Sequence, residues 1–352
     1  MSNIEAGTSG IKKDHSFGHL TKAPLSIIDF ERVSSELAII YPEILFTRFE
    51  SIAILSLYKA LLEADFDIRS KKTLFILSST KGNIELLKKD KSFTDDLYLQ
   101  NTARKIADIF GFVNPPLIIC NACISGVLAI IAAKRTIEEG TYDNVVITGA
   151  DIVSEFVVAG FESFRSMSEK PCKPFDIGRD GLSLGEGAAS VVLTRNQGNN
   201  RICITNGSSA NDANHISGPS RTGEGLYIAT KNALDNNLNI DFISAHGTAT
   251  PYNDDMESMA IQRLGMQDVP VNSFKGYFGH TLGAAGVIET IITKHSMLNS
   301  MIFKTCGLEK QGVVSPINTP YSLQLKELNR CLKLASGFGG CNAAIVLEKN
   351  GR

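Results

Sequence analysis

Four side chains in the sequence stand where types and spacing could do chemistry: Cys123, His246, Lys275 and His280. Cys123 lies in LIICNACISGVLAIIAAKRTIEEG, where an apolar run from Leu117 reaches a polar turn and a second apolar run opens at Ser125-Gly126. The pattern predicts a buried strand, a sharp turn and a helix. A helix that starts just after Cys123 directs free N–H groups and its positive dipole end at the sulfur, which favours thiolate and predicts a lowered thiol pKa. That would make a nucleophile. Ala122, Ser125 and Gly126 are small enough for the turn and for a substrate to reach the sulfur. A lone cysteine in such a place would more simply fill a core gap, so the reading needs partners.

Two further turns supply them. ISAHGTATPYNDDMES sets His246 after the apolar run Ile240 to Ala245, beside the backbone freedom of Gly247 and the hydroxyls of Thr248 and Thr250. VNSFKGYFGHTLGAAGVIE sets Lys275 and His280 before a helix whose first turns are glycine and alanine. Both histidines thus follow apolar strands at their carboxyl ends, where α/β sheets keep reactive groups.

The elements that must position these residues alternate along the chain, which predicts layered α/β architecture with mostly parallel sheets. Strands are expected at Thr73 to Leu77, Leu117 to Cys120, Asn144 to Thr148, Ala188 to Leu193, Arg201 to Thr205, Ile240 to Ala245, Val269 to Asn272 and Ala343 to Leu347. Helical periodicity is clearest at Leu45 to Glu63, Thr94 to Phe110, Ile124 to Glu139, Gly223 to Asn236 and Ala284 to Leu298. The polar string RNQGNNR, Arg195 to Arg201, divides the chain into halves at residues 1–198 and 199–352. Each half carries a strand that ends in a reactive-looking turn, which hints at duplication.

Composition narrows the function. With 352 residues, 43 % of them apolar, and 35 basic against 37 acidic side chains, the chain can bury a large core and carries a formal net charge of −2. Nucleic acid is a poor fit for so balanced a charge; Arg69-Ser70-Lys71-Lys72 and Lys88-Lys89-Asp90-Lys91 read as solvated surface. Apolar runs such as Gly126 to Ala133 fall far short of a membrane span, and MSNIEAGTSG lacks a signal-peptide core, so a cytosolic location is expected. Seven scattered cysteines without paired CxxC motifs are expected to be reduced thiols, with no metal site.

Five ordered motifs carry a family resemblance: NACISG around Cys123, KPFDIGRDGLSLGEGAA from Lys173, AHGTATPYND around His246, KGYFGHTLGAAGVIE from Lys275 and SGFGGCNAAIV around Phe338. The set resembles the β-ketoacyl-acyl carrier protein synthases, elongating types I and II, from about Ser9 to the C-terminus. The resemblance implies a thiolase-like fold of two similar βαβαβαββ halves stacked in five layers, and a homodimer or a heterodimer with a related subunit. It implies Cys123 as acyl-accepting nucleophile and His246 and His280 as the histidines that handle malonyl thioester, with Lys275, Glu289, Asp254 and Glu257 supporting. It implies Phe338 as gate, with the N–H groups of Cys123 and Phe338 as oxyanion donors. Thr248 and Thr250 would contact the phosphopantetheine arm of an acyl carrier protein, the partner that brings the substrates. No metal or redox cofactor is implied.

Two departures set expectations of their own. Family members begin with a VVITGxG-like strand ahead of the AGTSGI match, and this chain starts at the match, so a central strand of the N-terminal half is expected to be absent, with Leu25 to Phe30 as a substitute. Ile124 follows the nucleophile where a small residue is usual, and is expected to reshape the acyl pocket. DIGRDGLSLGEG fits neither phosphate-loop spacing and reads as a structural loop, whose Asp176, Arg179, Asp180 and Glu186 hold backbone turns. Phe156, Phe161, Phe164 and Met167 could line a tunnel, a dimer seam or a core. The apolar strand at Asn144 to Thr148 is a candidate seam. A different class of reading is a catalytically silent, chain-length-factor-like partner subunit; retention of Cys123, His246 and His280 together argues against it.

Overall fold

A computed structural model describes the chain apart from residues 18–19, 88–93, 197–201, 213, 217 and 350–352. The Lys88 to Lys91 run and the expected division between residues 198 and 199 lie outside the described residues. The chain opens with α1 (Ser2–Glu5), the hairpin strands β1 (Lys12–Phe17) and β2 (Leu20–Ser26), then α2 (Phe30–Ile40) and α3 (Arg48–Leu61). The first half continues as β3 (Thr73–Ser78), α4 (Leu99–Phe110), β4 (Leu117–Ile119), α5 (Ser125–Glu138), β5 (Asn144–Asp151), α6 (Glu155–Ser163), β6 (Leu184–Gly185) and β7 (Gly187–Thr194). The second half begins β8 (Ile202–Asn211), α7 (Glu224–Leu234), β9 (Phe242–Ser244), α8 (Pro251–Arg263), β10 (Val271–Asn272) and α9 (Lys275–Phe278). It ends α10 (Ala285–Asn299), β11 (Met301–Ile302), β12 (Gln324–Leu325), β13 (Arg330–Gly337) and β14 (Cys341–Lys349).

Two mixed sheets organise these elements. The first runs β4-β3-β5-β7 and the second β10-β9-β13-β14-β8. In both, the hairpin strand after the last crossover is antiparallel to the strands it joins: β7 to β5, and β14 to β13 and β8. Strand β3 is buried along its whole length, as a central strand covered on both faces must be. Helices α5 and α10 lie between the sheets, α5 touching β3, β5, β8 and β14, and α10 touching β5, β7 and β13. With α3 and α4 outside the first sheet and α7 and α8 outside the second, the result is five layers. This is the expected thiolase-like arrangement.

The absent strand needs correction in its place. Matching β3, β4, β5 and β7 with β9, β10, β13 and β14 leaves only β8 without a counterpart, and β8 is an edge strand, not a central one. Leu25 does not fill the position: β2 pairs with β1 and β6 in a separate sheet. Among the described residues the far edge of β7 therefore carries no strand. Strand β5 lies inside its sheet between β3 and β7, so the apolar run Asn144 to Thr148 is core and cannot be a dimer seam.

The two middle helices meet backbone to backbone. A Cβ on Gly126 would stand 2.8 Å from the Val287 nitrogen, and one on Gly286 would stand 2.5 Å from the Val127 nitrogen. No larger residue fits at either place without pushing the helices apart. The glycines thus bring the amino ends of α5 and α10 together, and with them Cys123 and the turn of His280.

Candidate active site

Cys123 sits in a turn that strand β4 and helix α5 leave between them. Ala122 takes φ +44°, a conformation few side-chain residues adopt, and Ser125 holds the turn by accepting the Asn121 N–H at 2.8 Å and donating to the Ala122 carbonyl at 2.6 Å. The thiol is buried. Burial first, then the neighbouring Cys341, pushes its pKa up to about 12, against the lowering by Lys81 and Lys275. The expectation of a lowered thiol is thereby opposed, because the helix start supplies favourable N–H groups while the site excludes the water a thiolate would otherwise keep.

His246 follows β9 in a loop built by carboxylates on α8. Glu257 accepts the N–H groups of His246 and Gly247 at 2.7 and 2.6 Å, and Asp254 accepts those of Thr248 and Ala249 at 3.0 and 3.2 Å. Both acids are fully buried, and burial raises them, Asp254 to about 6 and Glu257 to about 7, while those backbone donors pull the other way. Lys275 reaches the same loop from α9, donating to the His246 carbonyl at 2.5 Å and pairing with Glu289 of α10 at 2.8 Å. The sequence reading missed Lys333, on a strand it did not predict. Its ammonium pairs with the other Glu289 oxygen at 2.5 Å and donates to the Ala245 carbonyl at 3.0 Å, just before His246. A lysine at an inward position of the apolar alternation CLKLASG was the available signal.

His280 is held by both halves. Its backbone N–H donates to the Ser183 carbonyl at 2.7 Å, and the turn beyond is tied to the first sheet: Ser78 donates to the Gly283 carbonyl at 2.8 Å and Asp151 accepts the Gly283 N–H at 2.7 Å. The residue is 1 % exposed, and neither ring nitrogen has a hydrogen-bond partner. The His246 and His280 rings lie 5.1 Å apart, edge to face, and the ligand atoms of Cys123, His246 and His280 lie within 4.8 Å of one another. Burial, then Lys275, holds both imidazoles well below their ordinary pKa, so both are neutral N–H donors.

The three open into a cavity of about 340 Å³. Phe161, Phe164, Phe338, Thr248 and Thr250 line it. Phe338, in the turn between β13 and β14, packs against Phe161 and Phe164 with ring centroids 5.5 and 5.3 Å away. Gly337 is required here: a Cβ on it would stand 3.1 Å from the Cys123 nitrogen and 2.9 Å from the Cys341 sulfur. Thr248 and Thr250 share a hydrogen bond of 2.9 Å. Ile124 is a correction: its side chain belongs to the core cluster between the sheets and is not among the cavity's lining residues. Phe156 is exposed, and Met167 packs beside the cluster that contains Phe161. In the DIGRDGLSLGEG loop, Asp176 accepts the Gly178, Glu309 and Lys310 N–H groups and Arg179 pairs with Asp255 at 2.6 Å. Asp176 thus holds backbone turns, and Arg179 ties the loop to α8 and to the Asp176 and Gly312 carbonyls.

Residues 47–199 match the model of the beta-ketoacyl synthase N-terminal domain, and residues 202–309 match that of the C-terminal domain. The chain belongs to the β-ketoacyl synthase family. It is 34 % identical over 253 residues to 3-oxoacyl-[acyl-carrier-protein] synthase 2 of Rhizobium meliloti, covering 66 % of this chain and 60 % of that relative. To the enzyme of the same name from Vibrio harveyi it is 30 % identical over 280 residues, covering 73 % of this chain and 67 % of the relative. The matched part therefore spans about three fifths to two thirds of these relatives' length. A ketosynthase in complex with its chain length factor from Xenorhabdus doucetiae shares the fold, with a TM-score of 0.84, 24 % identity, and coverage of 99 % of this chain and 93 % of that one. No helix of the described residues is long and apolar enough to cross a membrane.

Proposed function

We propose that the protein is an elongating 3-oxoacyl-acyl carrier protein synthase, which joins a Cys123-bound acyl chain to malonyl-acyl carrier protein with loss of carbon dioxide. The observation that carries this reading is a buried thiol and two neutral, buried imidazoles, one with no hydrogen bond at either ring nitrogen, converging on an apolar cavity. The Cys123 sulfur takes the acyl group from its carrier thioester, and the carrier thiol leaves with the proton. As the acyl carbonyl oxygen gains charge, the N–H groups of Cys123 and Phe338 receive it, and Gly337 allows the close approach this needs.

Malonyl thioester then loses carbon dioxide, and the charge left on its thioester oxygen becomes an enolate. His246 and His280 donate to that oxygen; a positively charged imidazole would be a worse fit beside Lys275 and Lys333. These lysines and Glu289 position His246 through the carbonyls of Ala245 and His246. The enolate carbon attacks the acyl carbonyl, the C–S bond to Cys123 breaks, the sulfur leaves as thiolate and takes a proton from solvent, and the chain departs two carbons longer as a 3-keto thioester. Electrons are neither gained from nor lost to an outside group, so the step calls for no redox cofactor, and the imidazole N–H groups serve the developing oxyanion. Thr248 and Thr250, at the cavity wall, suit contact with the phosphopantetheine arm. The partners are an acyl carrier protein and a second subunit, a copy or a relative of this chain, in the cytoplasm.

The test separates acyl transfer from decarboxylation. Cys123→Gln places an amide where the acyl thioester would sit; malonyl decarboxylation continues and condensation stops. His280→Ala leaves acyl loading of Cys123 largely intact and slows release of labelled carbon dioxide by on the order of a hundredfold, the loss expected for one oxyanion donor. Loss of acyl loading with decarboxylation spared would instead make His280 the base that activates Cys123.

A further inference from the structure

The three groups at the centre of the cavity are also a set of soft donors. Cys123 Sγ and one nitrogen each of His246 and His280 lie within 4.8 Å of one another, in the only such cluster of His, Cys, Asp or Glu among the described residues. A tetrahedral zinc ion with bonds of about 2.0 to 2.3 Å spaces its ligands roughly 3.3 to 3.6 Å apart, so contraction by side-chain rotation alone is of the right size. The second observation is His280 itself. The residue is 1 % exposed and its two ring nitrogens have no hydrogen-bond partner, so a buried lone pair is available without breaking a hydrogen bond. A fourth ligand position would face the cavity.

We infer that Cys123, His246 and His280 form a reversible, inhibitory site for a thiophilic divalent cation of the zinc class. On binding, a metal–sulfur bond replaces the S–H bond of Cys123, the proton goes to solvent, and the ion exchanges bound waters for two imidazoles. No atom changes oxidation state. Neutral imidazoles suit the purpose, since a protonated ring cannot ligate. Glu289 shared between Lys275 and Lys333 leaves one positive charge behind His246, which opposes a dication and makes the site weaker than a closed structural zinc centre. The ion would occupy the sulfur that an acyl group needs, and hold the protein unloaded until a chelator removes it.

Binding depends only on the three donors, so the test stands apart from whether condensation is the reaction. Full-length protein is titrated with Co²⁺ and Zn²⁺, reading the near-ultraviolet sulfur-to-cobalt charge-transfer band, protons released, and alkylation of each cysteine by mass spectrometry. The expected result is one ion and about one proton per chain, with Cys123 protected at least tenfold from iodoacetamide and the protection reversed by EDTA. Exposed Cys120 is the internal control: its labelling stays unchanged, and Cys120→Ser keeps the band. Cys123→Ser loses the band, and His280→Ala weakens binding at least tenfold while circular dichroism shows the fold retained. A band that persists in Cys123→Ser, or zinc that leaves Cys123 labelling unaltered in the wild type, would overturn the site.

Discussion

At the residue scale the two forces on Cys123 have opposite signs, and magnitude decides between them. A helix terminus contributes about 0.3–1 kcal/mol, up to about 2 in partly buried geometry, whereas full burial can move a pKa by several units at about 1.4 kcal/mol each. Burial wins in the resting site, and the thiol is pushed up to about 12. Alkylation of Cys123 should therefore rise about tenfold per pH unit between pH 6 and 9 without levelling, because only the thiolate reacts. A plateau below pH 8, followed by mass spectrometry of the labelled peptide, would show that helix start and imidazoles together outweigh desolvation.

At the element scale the site depends on which end of each helix meets which loop. Helix α8 holds the His246 loop in place: its buried Glu257 accepts two backbone N–H groups of that loop and the Asn253 amide at 2.9 Å. Glu257→Gln keeps the shape but turns one acceptor into a donor facing an N–H. The expected cost is about 1–3 kcal/mol of stability, the usual penalty for an unsatisfied buried group, seen as a lower denaturant midpoint at unchanged slope. Decarboxylation should slow more than acyl loading, since His246 is displaced and Cys123 is not. Equal slowing of both would mean that α8 supports the whole cavity instead of one loop.

At the scale of the whole molecule the two sheets differ by one strand. Strand β14 is paired on both edges, with β13 and β8, whereas among the described residues β7 is paired only with β5. An unpaired edge leaves alternate N–H groups of β7 without sheet partners. In hydrogen exchange, the outward amides of Gly187–Thr194 should exchange on the order of a hundredfold faster than those of Cys341–Lys349. Equal protection of the two strands would show that another chain segment or subunit covers the β7 edge in solution.

Local chemistry explains what the sequence alone could reveal. Strand-turn-helix punctuation around Cys123, glycines beside His246 and His280, and continuous apolar runs such as TLFILS depend on neighbours within a few residues, so their elements and many of their bounds were legible. Strand β13 was not, because a lysine stands at an inward position where the pattern of a buried strand calls for an apolar residue. Its lysine makes sense only once Glu289, distant in the chain, lies against it. The same holds for the level of the Cys123 thiol and for Ile124. One depends on how much water the packed halves exclude, the other on which side of α5 faces the sheets, and both are properties of contacts between segments far apart in sequence.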